Sequence, residues 1–201
     1  MRNIEVFSLP EITFAHVCKV DKYHAWLPPK RTKIEISYIV EGETHFIING
    51  KDYIAKKGDV TCFLHDETEV ICNEPHCHHT VEAELDWKFS NDELNALNLP
   101  FLTPVEHGTL EICNLIDEFI FRQSIVQSKT KSAIAFLDLL HKIDKCYKSS
   151  NKIQIPSDSV YSYKAKKYIR AHLEKPITQS EVAKYLGISQ GHLCKVFKNA
   201  E

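Results

Sequence analysis

The spacing of apolar residues changes once along this chain, near Pro104, and the change limits the folds open to it. Before Pro104, apolar residues alternate with polar ones or form short β-branched runs, which is typical of β-strands. After Pro104 they recur every three or four residues, which is the spacing of one helix face. The pattern therefore predicts an α+β chain in which β-structure comes first and helices follow.

The β-part is predicted as a series of short strands joined by tight turns. Asn49 and Gly50 form the strongest hairpin signal, because both residues tolerate the positive φ angles of a two-residue turn. The predicted strands cover residues 34–40, 44–48, 51–55, 60–64, 69–72 and about 77–89. Short strands with regular turns predict a closed barrel or jelly roll.

Two apolar stripes at helical spacing follow the β-part, over residues 110–120 and 133–147. They predict two antiparallel helices within residues 106–148. Two roles stay open for these stripes at this point. Either they pack against the barrel, or residues 107–147 form the interface of a homodimer.

The overall composition excludes several classes of protein. The chain has 201 residues, a formal charge of −2 and 43% apolar residues, which is the balance of a folded globular chain. No apolar run is long enough to span a membrane, and the first residues lack the apolar core of a signal peptide. We therefore predict a cytoplasmic protein without a membrane partner, whose seven cysteines are reduced thiols.

The charge is divided unevenly along the chain. Residues 161–201 carry eight Lys and Arg against three acidic side chains, a net +5, so the remainder carries −7. A basic terminal segment suggests a nucleic-acid partner, and a solvated helical surface is the other interpretation. A polar stretch rich in helix breakers, residues 149–158, is predicted to link this segment to the rest.

The basic segment contains signals for short helices joined by a turn. Ser159 is a candidate cap for a first helix, and Thr178 with Glu181 forms a capping box for a second. Gly187 favours a left-handed stop, and Ser189 can cap a third helix. A short helix, a glycine turn and another short helix are the arrangement of a DNA-binding helix-turn-helix.

This segment resembles the first helix-turn-helix of AraC/XylS-family transcriptional regulators. The resemblance covers about residues 159–199, and its strongest elements are the alanine of the first helix, the Gly-Ile-Ser turn and the closing Phe-Lys. The matching residues are Ile177, Thr178, Glu181, Val182, Ala183, Leu186, Gly187, Ile188, Ser189 and residues 192–198.

The resemblance implies which residues face DNA. It places Gly191, Cys194 and Lys195 at base-reading positions. Because glycine and cysteine are poor base readers, sequence-specific contact is expected to rest mainly on the lysine. The rest of the DNA-facing set consists of Ser189 and Lys198, near the DNA backbone, and the assisting Gln190 and His192.

One departure from the family concerns length. Its members carry two helix-turn-helix units joined by a long helix, whereas this chain ends at Glu201, just after the first unit. We expect that the sequence is cut within its DNA-binding domain. Such a fragment is expected to bind DNA weakly, because half of the phosphate contacts are missing.

The β-part resembles the cupin fold, which forms the effector domain of many AraC-type regulators. Metal-binding cupins take two histidines and a glutamate from a first motif and a histidine from a second. Glu35, seven residues before Gly42, matches the glutamate, but the histidine positions fall among residues 28–31, which are Pro, Pro, Lys and Arg. Glu69 stands where the second motif has histidine. The resemblance therefore implies no metal, no cofactor, no catalytic residue and no enzymatic activity.

A barrel that has lost its metal ligands but kept an interior suggests a pocket for a small-molecule effector. Glu35, His79 and Trp87 are the candidate lining residues, and Lys30 and Arg31 are candidates for the mouth. Trp87 offers an apolar plate for a sugar or an aromatic effector. Ordinary barrel packing is the alternative for each of these residues.

A second group of metal-ligand residue types lies at Cys72, His76, Cys77, His78 and His79. Its spacing is not that of a standard zinc finger. Strand alternation places Cys77 and His79 on the apolar face, which is predicted to line the barrel, and turns His76 and His78 to solvent or to a neighbouring helix. A surface histidine cluster and a metal site both stay open.

These patterns together predict a DNA-binding transcriptional regulator controlled by a small molecule. Its parts are a cupin-like sensor barrel (1–105), a helical dimerisation pair (106–148), a linker (149–158) and the first half of an AraC-type DNA-binding domain (159–201). DNA, an effector and a second copy of the chain are the expected partners. A metal-dependent cupin oxygenase or isomerase and a purely dimerising module are the alternatives.

Overall fold

The structure is a computed structural model that describes residues 2–28, 32–64, 67–92, 96–122, 128–151, 157–172 and 175–198, with the backbone alone for 157–160 and 163. The chain divides into two compact units, 1–152 and 153–201, and each is considered by itself. The first unit contains all of the described strands and two long helices, and the second contains three helices.

The first unit is built on antiparallel strands, as the alternating pattern predicts. They are β1 (Asn3–Val6), β2 (Glu11–Val20), β3 (Tyr23–Leu27), β4 (Lys33–Glu41), β5 (Glu43–Ile48), β6 (Lys51–Lys56), β7 (Val60–Phe63), β8 (Thr68–Cys72), β9 (His76–Glu84), β10 (Trp87–Phe89), β11 (Leu97–Asn98) and β12 (Leu102–Thr103). Their described pairings give a five-stranded sheet β12-β7-β4-β9-β2, a four-stranded sheet β3-β8-β5-β6 and a three-stranded sheet β10-β1-β11. The single strand predicted over residues 77–89 is therefore wrong, since β9 and β10 belong to different sheets.

The predicted hairpin at Asn49 and Gly50 is confirmed. Both residues have positive φ angles, 51° and 73°, and they join β5 to β6 with Ile48 opposite Lys51. These angles match the right-handed twist of the two strands, so the turn residues fix the register of the pair.

Two helices, α1 (Leu110–Arg122) and α2 (Lys129–Ser150), bury their apolar stripes against the five-stranded sheet. The shared core contains Ile34, Ile36, Val81 and Ala83 from the sheet and Ile112, Ile116, Phe119, Phe136, Leu139, Leu140 and Ile143 from the helices. Packing against the β-domain is therefore one role of these stripes. A second core, which includes Phe46, Val70 and Phe101, lies between the five-stranded and four-stranded sheets.

The linker predicted over residues 149–158 overlaps helix at both ends. Helix α2 continues to Ser150, and the next helix, α3 (Ser157–Ala171), begins at Ser157 rather than after Ser159. Residues 152–156 lie outside the described residues. The polar composition did not end the helices because a solvated helix carries polar residues as readily as a loop does.

The second unit adds α4 (Gln179–Leu186) and α5 (Gln190–Lys198) to α3. The predicted capping box is present, since the Thr178 hydroxyl accepts a hydrogen bond from the Glu181 N–H at 3.2 Å and the Glu181 carboxylate accepts one from the Thr178 N–H at 2.8 Å. Gly187 ends α4 in the left-handed region at φ 68°. Ala165, Val182, Ala183 and Leu193 form the buried centre of this unit.

Replacing the capping threonine tests the local stability of α4. We expect Thr178→Ala to cost about 1 kcal/mol, because it leaves the Glu181 N–H without its acceptor. Amide hydrogen exchange should show faster exchange in α4, while the matched change Ser180→Ala, on the exposed surface of the same helix turn, leaves it unchanged. Equal protection in the two variants would contradict the role of the cap.

None of the helices among the described residues combines the length and apolarity needed to cross a membrane. All seven cysteines are free thiols in this structure.

Candidate functional site

The space between the five-stranded and four-stranded sheets contains a small, mixed polar and apolar cavity of about 50 Å³. Strands β4 and β9 supply most of its polar side chains, and β5, β7 and β8 supply much of its apolar wall. The described lining residues are Tyr23, Leu27, Glu35, Ser37, Ile39, Thr44, Phe46, Thr61, Phe63, Val70, His76 and His78.

Two stacked imidazoles dominate one side of this cavity. His76 Nε2 lies 2.9 Å from His78 Nδ1, and the ring centroids are 5.1 Å apart. Tyr23 stacks on the other side of His76 at 6.4 Å. His76 is only 4% exposed, and its Nδ1 has no hydrogen-bond partner among the described residues. The pair thus leaves one buried polar atom without a partner.

Both imidazoles are neutral at physiological pH. Burial lowers the pKa of His76 below its usual value. The pKa of His78 is lowered to about 4, chiefly by burial, and nearby imidazoles add to the effect. Those neighbours are His76, His16 and His79. Because a neutral imidazole has one N–H and one free lone pair, the pair can both donate and accept hydrogen bonds.

This lowered pKa predicts a loss of stability in acid. An unfolded His78 takes up a proton as the pH falls below about 6.5, whereas the folded one resists until about 4, so the free energy of unfolding falls through this window. Between pH 7 and pH 4.5, the free energy of unfolding should fall by about 2 kcal/mol less in His78→Phe than in the unchanged chain. Urea denaturation at both pH values measures this, with His45→Phe on the outer face of the four-stranded sheet as the control. Equal pH dependence in both variants would contradict the assignment.

The hydroxyl groups behind the imidazole pair are bonded to their surroundings. Ser37 Oγ donates to Thr80 Oγ1 at 2.7 Å, and Thr80 Oγ1 lies 3.3 Å from the Ile36 carbonyl. Further along β9, the buried Glu82 carboxylate accepts hydrogen bonds from Lys33 Nζ at 2.8 Å and Thr13 Oγ1 at 2.7 Å. These bonds fix the polar face of β9 toward the space between the sheets.

The predicted orientation of β9 is wrong. The apolar face that carries Val81 lies under α1 and α2, and the face with His76 and His78 lines the cavity. His79 therefore points to α1, where its Nδ1 lies 2.6 Å from Asp117 Oδ1 and 3.0 Å from the Tyr38 hydroxyl. The physical reason is that the apolar stripes of α1 and α2 are buried against the apolar face of β9, which leaves its polar face toward the second sheet.

The other predicted effector residues are dispersed. Glu35 lines the cavity. Trp87 is on β10, packs against the core beneath the helices and contacts Phe89 edge-on at 5.2 Å, and it is not among the cavity residues. Lys30 and Arg31 lie outside the described residues. A role in effector binding stays a prediction for all of them.

The Cys72–His79 group does not converge in this structure. Cys72 and Cys77 are buried and free, His76 and His78 face the cavity, and His79 faces α1. Across the parts of the chain that are described, no three His, Cys, Asp or Glu side chains are arranged to hold a metal ion. The prediction that His76 belongs to a solvent-exposed histidine cluster is also wrong, because His76 is buried.

Sequence reasoning missed His76 and His78 as cavity residues. A usable signal was present, because Thr80 and Glu82 alternate with Val81 and Ala83 and continue the same polar face. Two apolar helical stripes require an apolar sheet face to cover them. Assigning Val81 and Ala83 to that face would have turned the two histidines inward.

The second unit carries the other candidate site, on the surface of α5. Ser189 caps this helix, since its Oγ accepts a hydrogen bond from the His192 N–H at 3.1 Å. Leu193 and Val196 are buried in the unit. His192 also packs edge-on against Tyr161 with 5.5 Å between ring centroids, which holds it beside α3. The predicted DNA-facing residues that are exposed are Ser189, Gln190, Gly191, His192, Cys194, Lys195 and Lys198.

Basic side chains are exposed over the whole second unit. Six of them lie outside α5, and all six are exposed: Lys164, Lys166, Lys167, Arg170, Lys175 and Lys184. The two lysines of α5 are exposed as well. An exposed surface with this excess of positive charge attracts polyanions at low ionic strength.

No protein-family model matches this sequence, and no curated protein is similar to it at a significant level. Solved structures match parts of it. A protein of Thermotoga maritima described as a predicted oxalate decarboxylase is 24% identical over 37% of this chain and 69% of its own, with a TM-score of 0.34. The cupin domain of an XRE-family transcriptional regulator from Enterobacter cloacae is 14% identical over 36% of this chain and 92% of its own, with a TM-score of 0.30.

A third match is ectoine synthase from P. lautus, 16% identical over 34% of this chain and 51% of its own, with a TM-score of 0.31. Three further matched structures are covered to 58%, 59% and 63% of their length. The matched structures include cupin-domain proteins. At such TM-scores these likenesses assign no activity to this chain.

The predicted absence of enzymatic activity is wrong as an exclusion. The matched structures include proteins described as ectoine synthase and as a predicted oxalate decarboxylase. The descriptions of the matched structures thus cover enzymes as well as a regulator. The absence of the cupin metal motif therefore does not exclude enzymatic activity of this chain.

Proposed function

We propose that this chain is a DNA-binding transcriptional regulator whose N-terminal unit senses a small molecule. The observation that carries the proposal is α5, a capped helix with one buried apolar face and an exposed face bearing Lys195 and Lys198. It follows α4 after a left-handed glycine turn. This combination is the usual geometry of a recognition helix.

The first turn of α5 is suited to a phosphate group. Ser189 satisfies the His192 N–H, and the remaining N–H groups of the first turn carry the positive end of the helix dipole. The lysine of the next turn, Lys195, reaches guanine O6 and N7 when the helix lies in a major groove. Gln190 is the uncharged residue of the set that can pair with adenine. His192, which contacts Tyr161, contributes more to orienting the helix than to reading a base.

The sensor part of the proposal rests on the cavity between the two sheets. Ligand pockets for drug-sized molecules usually exceed about 300 Å³, whereas this cavity has about 50 Å³. A sugar therefore does not fit, and a smaller effector replaces it in the proposal. Glu35 stays among the candidate contacts because it lines the same cavity.

Dimerisation is proposed for the surface of α1 and α2 that faces away from the sheet. Leu110 and Phe121 are 72% and 73% exposed on α1, and Ile134 is 61% exposed on α2. Exposed apolar side chains of this size are more frequent at interfaces than on free surfaces. Two copies would place two α5 helices on one DNA molecule, which raises the overall affinity.

Selection from a random pool of DNA duplexes tests the proposed function. The full chain, immobilised at low ionic strength, should enrich a short consensus, and Lys195→Gln should change or abolish it. Lys145→Gln, which removes an exposed charge from α2, serves as the control and should keep the consensus. Retention without any consensus would reduce the proposal to nonspecific binding, and no retention would overturn it.

A further inference from the structure

We propose that the cavity between the five-stranded and four-stranded sheets binds a small uncharged molecule that forms a hydrogen bond with His76 Nδ1. The ligand class is a short alcohol, diol or amide with only a few non-hydrogen atoms. This inference rests on the proposed function, since it names the chemistry of the molecule that the first unit would sense.

One ring nitrogen of His76 is buried without a hydrogen-bond partner among the described residues. His76 is 4% exposed, its Nε2 is engaged with His78 Nδ1, and its Nδ1 has no partner among the described residues. Leaving a buried polar atom unbonded costs about 1–3 kcal/mol, so native proteins rarely retain one without a ligand or water. Turning the ring to give Nδ1 another partner would break the hydrogen bond between His76 Nε2 and His78 Nδ1.

The volume of the cavity limits the size of its ligand. One water molecule needs roughly 10–15 Å³ of cavity volume. A cavity of about 50 Å³ therefore has room for about three or four non-hydrogen atoms. A two-carbon molecule with one or two polar groups fits this space. Larger sugars and aromatic rings require the sheets to separate.

The charge and polarity of the lining residues favour an uncharged ligand. Among the described lining residues Glu35 is the one carboxylate, and none is a lysine or arginine, so the cavity disfavours an anion. Both imidazoles are neutral and can each donate and accept. Phe46, Phe63 and Val70 supply an apolar wall for a short hydrocarbon part. A neutral molecule with a polar end and an apolar end matches both surfaces.

His76 also borders a second, open space. The same side chain lines an open groove of about 330 Å³ at the end of the sheets, together with Lys19, Asp21, Glu41 and Cys77. His76 therefore borders both the groove and the cavity. The turn at Gly42 packs tightly behind it, because a Cβ at Gly42 would lie 2.7 Å from the Pro75 carbonyl oxygen and 2.9 Å from His76 Cβ.

Side-chain NMR of the full chain labelled with ¹⁵N-histidine tests the proposal. Ethanol, ethane-1,2-diol and acetamide are the uncharged probes, and acetate is the charged control. We expect at least one uncharged probe to shift the ring nitrogens of His76 and His78 saturably, with a dissociation constant below about 10 mM, and acetate to bind at least about tenfold more weakly. The imidazole of His45, outside the cavity, should not respond.

His76→Phe keeps the ring and its stacking on Tyr23 but removes the nitrogen. We expect this variant to lose the response of His78 to the probe while keeping the near-ultraviolet circular dichroism of the folded chain. No saturable shift with any of the three probes, or an unchanged His78 response in the variant, would overturn the proposal. The titration contains no DNA and the duplex selection contains no probe, so failure of one leaves the other result intact.

Discussion

Asp144→Ala is expected to lower the free energy of unfolding of the first unit by about 3 kcal/mol. Asp144 is 4% exposed on α2, and its Oδ1 accepts hydrogen bonds from the backbone N–H and the side-chain Nδ2 of Asn98, both at 2.9 Å. Its Oδ2 accepts from Lys148 Nζ at 2.9 Å. The substitution would remove the carboxylate acceptor of two buried donors on β11, and with it both hydrogen bonds from Asn98 that join this strand to the helix.

Urea denaturation followed by tryptophan fluorescence measures this loss, because Trp26 and Trp87 both lie in the first unit. Asp138→Ala is the matched control on the same helix. Asp138 is half exposed and 3.9 Å from Lys142 Nζ, so its removal should cost less than about 0.5 kcal/mol. If both variants lost stability equally, the buried contact with Asn98 would not be what holds β11 in place.

Lys195→Gln is expected to weaken binding to a selected DNA duplex by about tenfold. Gln keeps a polar side chain with N–H donors, but it is one atom shorter and carries no positive charge, so it cannot neutralise a phosphate and offers guanine a weaker, uncharged donor. The fold of the second unit should be unchanged, because Lys195 is exposed and its neighbours Leu193 and Val196 carry the packing.

Fluorescence anisotropy at fixed salt gives the affinity of each variant. Lys145→Gln removes the same charge from an exposed position in the first unit and should leave the affinity within about twofold. A similar loss in both variants would show that net charge, rather than the surface of α5, sets the affinity. That outcome would remove the specific role assigned to this helix.

Local signals were predicted well from the sequence. The capping box of Thr178 and Glu181, the left-handed Gly187 and the Asn49–Gly50 hairpin are each decided by residues within a few positions of one another. Hydrogen bonds and φ preferences over such short distances depend little on the rest of the fold. For this reason the sequence alone was enough to locate them.

The direction of each sheet face was not predicted. Alternation in β9 separates Val81 from His78, but it does not say which of them faces the second sheet. That choice depends on where α1 and α2 pack, and their stripes are compatible with either a sheet or a second copy of the chain. A buried strand covered on both faces therefore needs tertiary information, and His79 was misplaced for this reason.

The split of the last long strand was missed on similar grounds. Residues 85 and 86 separate β9 from β10, and β10 pairs with β1 at the N-terminus, with Val6 opposite Trp87. This pairing joins residues about eighty positions apart, and no local pattern encodes it. Trp87 is consequently drawn away from the cavity that it was expected to line.

The salt dependence of DNA binding by the full chain shows whether α5 and its lysines contact phosphate groups. If α5 and its lysines contact phosphates, the logarithm of the association constant should fall linearly with the logarithm of salt concentration, with a slope of about −2 to −4 for two to four phosphate contacts. Lys198→Gln should make this slope shallower by about one. A flat slope, or no binding at the lowest salt concentration, would contradict the proposal that this chain acts on DNA.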